Sequence, residues 1–264
     1  VHIDVDPGEI GRNYESVRLV GDARETLAAL RAALTNVALT KRHAARPRLQ
    51  ECIASYWQRF DLDRHHLVTS RDRPVRPERL MSELQALLTD DVVVVADASY
   101  SSMWVLGQLR ATAVGARFIA PRGLAGLGWG VPLAIGAKTA RPEKAVVAIV
   151  GDGGFAHSWA ELETMMRMNV PITIIVLNNG ILGFQRDAET VKFGKYTSAC
   201  LFAEVDHVKL AEACGCPAVR VQDPSEIAEH LQRGIQRGPL LIEVITDPEA
   251  HPPLSLFARM DEAA

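Results

Sequence analysis

From Arg76 onward the apolar residues fall in short unbroken runs separated by amphipathic stretches. The runs are VVVVADA (92–98), RFIA (117–120), AVVAIVG (145–151), ITIIVLN (172–178), AVRVQ (218–222) and LLIEVIT (240–246). Runs of this length, rich in Val and Ile, read as strands buried on both faces. Helices are predicted between them: over 77–88, with a proline at its start, around 103–109, from a glycine-rich turn through Lys138, and near 159–168, 205–213 and 224–233. Alternating strands and helices specify an α/β fold, a parallel sheet with helices on both faces. Right-handed crossovers align the carboxyl ends of all strands along one edge, where such sheets bind their ligands.

The pattern before Arg76 is different. Residues 1–5 alternate like a strand, Asp6-Pro7-Gly8 is a turn, and Asp22 is placed to cap a helix reaching about Leu34. Leu27, Leu30 and Leu34 share one face of that helix. One strand and one helix cannot bury a core, so residues 1–40 read as the remnant of a further domain and the chain as a fragment of a longer protein. Residues 41–76 read as a linker with one helix near 49–60, residues 77–247 as the main domain and residues 248–264 as a tail. The basic run KRHAARPR (41–48) reads as a solvated face, and His65-His66 as surface residues.

Composition narrows the function classes. With 48% hydrophobic residues and a net charge of -3, the chain has ample material for a core and no general attraction for nucleic acid or membrane surfaces. Its apolar runs are too short to cross a bilayer. The opening VHIDVDPGEI is neither basic nor a long apolar run, unlike a secretion signal. Four cysteines do not make a disulfide framework, and Cys214-Gly215-Cys216 without a second pair does not make a tetrahedral metal site. The expectation is a soluble, cytoplasmic, reduced protein.

The candidate chemistry lies at the ends of two strands. Asp152 follows the strand ending at Gly151, and Asn179 follows the strand ending at Asn178. One helical crossover separates the two strands, so they can be neighbours and their side chains can converge. A carboxylate and an amide oxygen, completed by a main-chain carbonyl and water, suit a hard cation such as Mg²⁺ or Ca²⁺. Gly153 and Gly154 leave main-chain N–H groups open to an anion. Together these features predict a metal–diphosphate site.

The Gly151-Asp152-Gly153 turn, followed by Asn178-Asn179, resembles the signature of the thiamin-diphosphate enzymes. GLAGLGWGVPLAIGAKTARP (123–142) and PITIIVLNNGILGFQR (171–186) resemble the acetolactate synthase group of that superfamily. The resemblance covers nearly the whole chain: VHIDVDPGEIGRNY is similar to the end of the central domain, the rest to the C-terminal domain. It implies thiamin diphosphate and Mg²⁺ as cofactors, with Asp152, the Asn179 side chain and the Ile181 carbonyl on the metal. Gly153, Gly154, Gly183 and Phe184 would meet the diphosphate through their backbone. Tyr100-Ser101 stands where the family places a Gln-His pair against the phosphates, so side-chain bonding there is not carried over. Ala125-Gly126-Leu127 stands where the family has Gly-Thr-Met. The Ala125 carbonyl would accept from the aminopyrimidine, and Leu127 would donate its N–H and act as the apolar wedge that bends the cofactor.

The implied activity is decarboxylation of a 2-keto acid followed by protonation or by attack on a second carbonyl. The family's acid–base glutamate lies on an N-terminal pyrimidine-binding domain, usually of a partner chain. Nothing here corresponds to that domain, so the chain alone is expected to be inactive and to work in a homodimer or homotetramer. Whether FAD binds is left open, because relatives hold it largely through the central domain. Ala188 stands where acetolactate synthases have a Trp that selects larger acceptors, and Gln185 replaces an apolar residue facing the substrate. Gln185 is therefore a candidate substrate contact. Arg186 reads either as a partner for a substrate carboxylate or as a surface ion pair. His157 is expected to open the helix that contains Trp159, Glu161 and Glu163. Alternatives remain open: a related glyoxylate carboligase, sulfoacetaldehyde acetyltransferase, carboxyethylarginine synthase or acyl-CoA lyase, or a cofactor-binding module without activity.

Overall fold

The computed structural model describes residues 1–111, 117–121 and 123–253. They form two compact units, one of residues 1–62 and one of the described residues from 63 onward. In the first, β1 (His2–Asp4) pairs in parallel with β2 (Arg18–Val20), a strand the alternation in sequence is too short to reveal. Helix α1 (Ala23–Leu34) begins where expected, its first N–H groups at Arg24 and Glu25 capped by the Asp22 carboxylate. Helix α2 runs over Thr40–Asp63, about twice the extent expected. Pro47 lies inside it, and the helix continues through the proline.

The second unit carries α3 (His65–Val68), α4 (Pro77–Leu87), β3 (Val92–Ala96), α5 (Tyr100–Gln108), β4 (Arg117–Ile119) and α6 (Gly130–Ala140). There follow β5 (Ala145–Gly151), α7 (Asp152–Ala156), α8 (Glu161–Arg167), β6 (Thr173–Asn178) and α9 (Gly183–Phe193). Last come α10 (His207–Ala213), β7 (Ala218–Val221), α11 (Ile227–Arg237) and β8 (Leu240–Ile245). The six strands from β3 onward form one parallel sheet in the order β4-β3-β5-β6-β8-β7. The β5 and β6 strands are neighbours, as the site required, with Gly151 opposite Leu177.

Alternate residues of each central strand feed two cores. Val94, Ile149, Ile175 and Ile242 pack with Leu80, Met81 and Leu84 of α4, Trp104 of α5 and Leu231 of α11. Val95, Ala148, Val150, Ile174 and Leu241 pack with Val131 of α6, Phe155 of α7, Leu162 and Met165 of α8 and Ala211 of α10. Two covered faces explain why the strands read as continuous apolar runs rather than alternating ones. No helix among the described residues is long and apolar enough to cross a membrane. Of the tail expected at 248–264, residues 254–264 lie outside the described residues.

Candidate functional site

The chain leaves β3 toward β4 on one side and leaves β5 toward β6 on the other. That reversal opens a crevice at the carboxyl ends of β3 and β5, the place where parallel α/β sheets bind ligands. One cleft there is lined by Asp97, Ser99, Tyr100 and Ser101 after β3, by Asp152, Gly153 and Gly154 after β5, and by Asn179, Ile181 and Gly183 after β6. Leu127 also lines it. Nine of the eleven residues expected to bind the cofactor thus face one cavity or its rim; Ala125 and Phe184 do not line it.

Asp152 is buried, and its two oxygens accept from the N–H groups of Gly153 at 2.8 Å and Gly180 at 2.7 Å. The Gly153 N–H is therefore engaged by the carboxylate rather than open to an anion. Gly153 and Gly154 lie within the short α7, a helix the sequence reading placed only after them. Asn179 Oδ1 accepts from the Ile181 N–H at 3.2 Å. The Ile181 carbonyl accepts from Gly183 N–H at 2.9 Å, closing an inverse γ-turn at Leu182 (φ -72, ψ 76) and keeping one lone pair free for another partner.

Burial pushes the Asp152 carboxyl up to about 6 from its ordinary 3.8, against the pull of its two N–H donors. Because the folded value is raised, this group's contribution to stability is present at low pH and is lost as the pH rises through about 6. The metal-free chain should therefore lose roughly 3 kcal/mol relative to Asp152→Asn between about pH 4 and pH 7. Urea unfolding of both proteins at stepped pH measures this. A pH-independent difference would show that the carboxylate is not held without a counter-charge.

Asp97 is a site residue the sequence reading passed over. It follows β3, is buried, and accepts from three consecutive N–H groups at the start of α6: Gly128 at 3.0 Å, Trp129 at 3.1 Å and Gly130 at 3.2 Å. A Cβ on Gly154 would lie 2.0 Å from its Oδ2. The glycine at 154 is thus what lets α7 close against the Asp97 carboxylate. Among the described residues, two of the three non-glycine positions with positive φ flank this region, Ser99 at 65° and Ala125 at 51°. Both hold backbone conformations that cost about 1–3 kcal/mol each and that gather at functional sites.

Tyr100 does not offer its hydroxyl to the cleft. It donates to Asp187 on α9, and its ring meets Phe184 edge-on at 5.8 Å between centroids. Asp187 also accepts from His251 Nε2 at 2.9 Å and Arg186 Nε at 2.8 Å. Burial pushes the Asp187 carboxyl up, and these donors more than offset it, holding it below the usual range. Arg186 is buried too and reaches Glu249 at 2.9 Å and the Pro248 carbonyl at 3.0 Å. It is a buried structural tie, neither the surface pair nor the substrate contact that sequence suggested. Tyr100→Phe should lower stability by about 1.5–3 kcal/mol, as loss of a hydrogen bond to a charged group does. It should leave thiamin diphosphate affinity unchanged, and a titration beside a thermal melt checks both.

Other expectations shift. Gln185 is exposed, donates to Glu189 at 3.0 Å on the same helix and does not line the cleft. His157 is exposed and closes α7 rather than opening the next helix, and Trp159 precedes α8. The four cysteines are free, burial pushing the Cys216 thiol up to about 11. Among the described residues no three His, Cys, Asp or Glu side chains gather to hold a metal.

A parallel sheet whose switch point presents a buried carboxylate, a glycine pair and an asparagine turn defines an α/β domain built to hold a ligand at its carboxyl edge. The family described as "Thiamine pyrophosphate enzyme, C-terminal TPP binding domain" matches residues 97–244, and the chain belongs to it. Among its relatives, the "Probable acetolactate synthase large subunit" of Methanocaldococcus jannaschii is 32% identical over 257 residues, 94% of this chain and 42% of that protein. The acetolactate synthase of Mycobacterium leprae is 31% identical over 276 residues, 99% of this chain and 43% of that protein. In structure, the thiamine diphosphate-dependent 4-hydroxybenzoylformate decarboxylase of Rhodococcus jostii RHA1 matches with a TM-score of 0.63 and 27% identity, over 68% of this chain and 34% of that one. The chain thus spans less than half the length of the relatives it matches.

Proposed function

We propose that this chain anchors thiamin diphosphate through Mg²⁺ and forms one side of an active site for 2-keto acid decarboxylation and carboligation, of the acetolactate synthase kind. The observation that carries this reading is Asp152: a buried carboxylate, satisfied only by main-chain N–H groups, facing a cleft at the switch point. A cation supplies the charge its surroundings lack. The donor set of one carboxylate, the Asn179 amide and the Ile181 carbonyl is all hard oxygen and small in number, as Mg²⁺ takes when phosphate oxygens complete its shell.

When bound, thiamin diphosphate supplies the nucleophilic carbon and the electron sink for the chemistry. The residues of this chain bind and orient it. Asp152 and Asn179 hold the cation, the backbone of Gly154 and Gly183 lies along the cleft, Ser101 adds a buried hydroxyl, and Leu127 forms an apolar wall. The Ala125 carbonyl would accept from the aminopyrimidine. The catalytic glutamate comes from a pyrimidine-binding domain in the same protein or a partner subunit, and the whole acts as a dimer or tetramer in the cytoplasm.

The small Ala188, half-buried on α9, also suits a related thiamin lyase or transferase with another acceptor. Product analysis with pyruvate, glyoxylate and sulfoacetaldehyde, using the protein in which this chain is joined by the pyrimidine-binding domain, separates them. Acetolactate from pyruvate supports the proposal. Turnover of another substrate alone moves the protein to a neighbouring activity. Absence of any thiamin-dependent product overturns it.

A further inference from the structure

Glu243 lies in the middle of β8, within the run LLIEVI, and is fully buried. Its Oε1 accepts from Asn178 Nδ2 at 2.7 Å and faces His207 Nδ1 at 2.7 Å, while its Oε2 accepts from Arg220 Nε at 2.7 Å. Burial pushes its carboxyl up, and these three partners together hold it below the usual range. A carboxylate in a core strand is not needed for stability, since well-packed apolar residues commonly replace buried ion pairs without loss. Its position suggests another reason for it.

The carboxylate can only accept, so it fixes which way the Asn178 amide faces. With Nδ2 on Glu243, Asn178 Oδ1 is turned to the Gly180 N–H at 3.2 Å, the same N–H that donates to Asp152 Oδ2 at 2.7 Å. Gly180 holds a left-handed φ of 70°, and Asn179 stands between the two linked residues. We propose that Glu243 is a positioning residue for the cation site: through Asn178 it sets the Asn178-Asn179-Gly180 turn, and so the approach of the Asn179 amide and the Gly180 N–H to Asp152. The inference rests on the metal–diphosphate reading of Asp152 and Asn179. Outer partners that orient metal ligands typically account for about 10- to 100-fold in metal affinity.

The test is Mn²⁺ binding to this chain in the presence of thiamin diphosphate, followed by the electron paramagnetic resonance of free Mn²⁺, beside thermal melts. Glu243→Leu should weaken Mn²⁺ binding about 10- to 100-fold. Asn178→Ala should weaken it equally, and the double variant no further, because both act through one link. Arg220→Met removes a partner of the other carboxylate oxygen. It should shift the melt while Mn²⁺ affinity stays at the wild-type value; a loss of affinity that merely followed destabilisation would appear in Arg220→Met as well. Wild-type affinity in Asn178→Ala overturns the inference even where Glu243→Leu fails to fold, and losses that add in a folded double variant overturn it too. If Asp152→Ala binds Mn²⁺ as tightly as wild type, the underlying reading fails instead.

Discussion

Asp152→Ala is expected to abolish Mg²⁺-dependent binding of thiamin diphosphate, weakening it at least about 100-fold, or ~3 kcal/mol. The other carboxylates around the cleft are committed elsewhere: Asp97 to three N–H groups of α6, and Asp247 to Arg76 at 2.8 Å. Asp97 spreads its charge over three N–H donors, whereas Asp152 is buried with one N–H on each oxygen and no side-chain donor among the described residues, so its removal deletes the charge on which the metal depends. The variant should fold. Its lost acceptor deprives the Gly153 N–H of its partner while the Gly180 N–H keeps Asn178 Oδ1 at 3.2 Å, and at neutral pH it also removes a buried charge whose ionisation burial disfavours. Tryptophan fluorescence titration with Mg²⁺ present, set beside a melt of the metal-free protein, measures both. A loss of only a few-fold in a folded variant would assign the cation to other residues.

Gly154→Ala should be the most destabilising single methyl in the site. Its Cβ would stand 2.0 Å from Asp97 Oδ2 and 3.2 Å from Cγ. Asp97 has a short side chain already fixed by three N–H donors, so it cannot retreat without uncapping α6. Overpacking and the lost buried hydrogen bonds together cost about 3 kcal/mol, a melting temperature lower by roughly 6–12 °C for a unit of this size. The neighbouring Gly153→Ala is a useful contrast. Its Cβ would meet Leu182 Cδ2 at 2.6 Å and Phe202 Cζ at 2.9 Å, the ends of side chains that can turn aside. Gly153→Ala should therefore melt closer to wild type, and equal melts for the two variants would remove Asp97 from its assigned seat.

The strands of the second unit were legible because a sheet covered on both faces writes itself as unbroken apolar runs. The Asp152–Asn179 pair was legible because both residues stand one step past strand ends that a single crossover makes neighbours. What sequence hid is pairing over long distances. Asp97 meets Gly128 from 31 residues away, Asn178 meets Glu243 from 65, and Tyr100 meets Asp187 from 87. Only one of these left a mark in the sequence, the lone carboxylate of Glu243 inside an apolar run. Helices α7 and α9 were missed because each opens on glycine or Asp-Gly-Gly, residues that local propensity assigns to turns. Gln185 is a candidate substrate contact by its position in a motif, and on α9 it is exposed, donates to Glu189 and does not line the cleft.

Calorimetric titration of thiamin diphosphate into this chain, with Mg²⁺ and again with the metal chelated, tests the metal–diphosphate site most directly. Saturable binding at one site per chain is expected with Mg²⁺, and its loss on chelation. Binding of equal strength without the metal, or no binding under either condition, would contradict the claim that Asp152 and Asn179 hold the diphosphate through a cation.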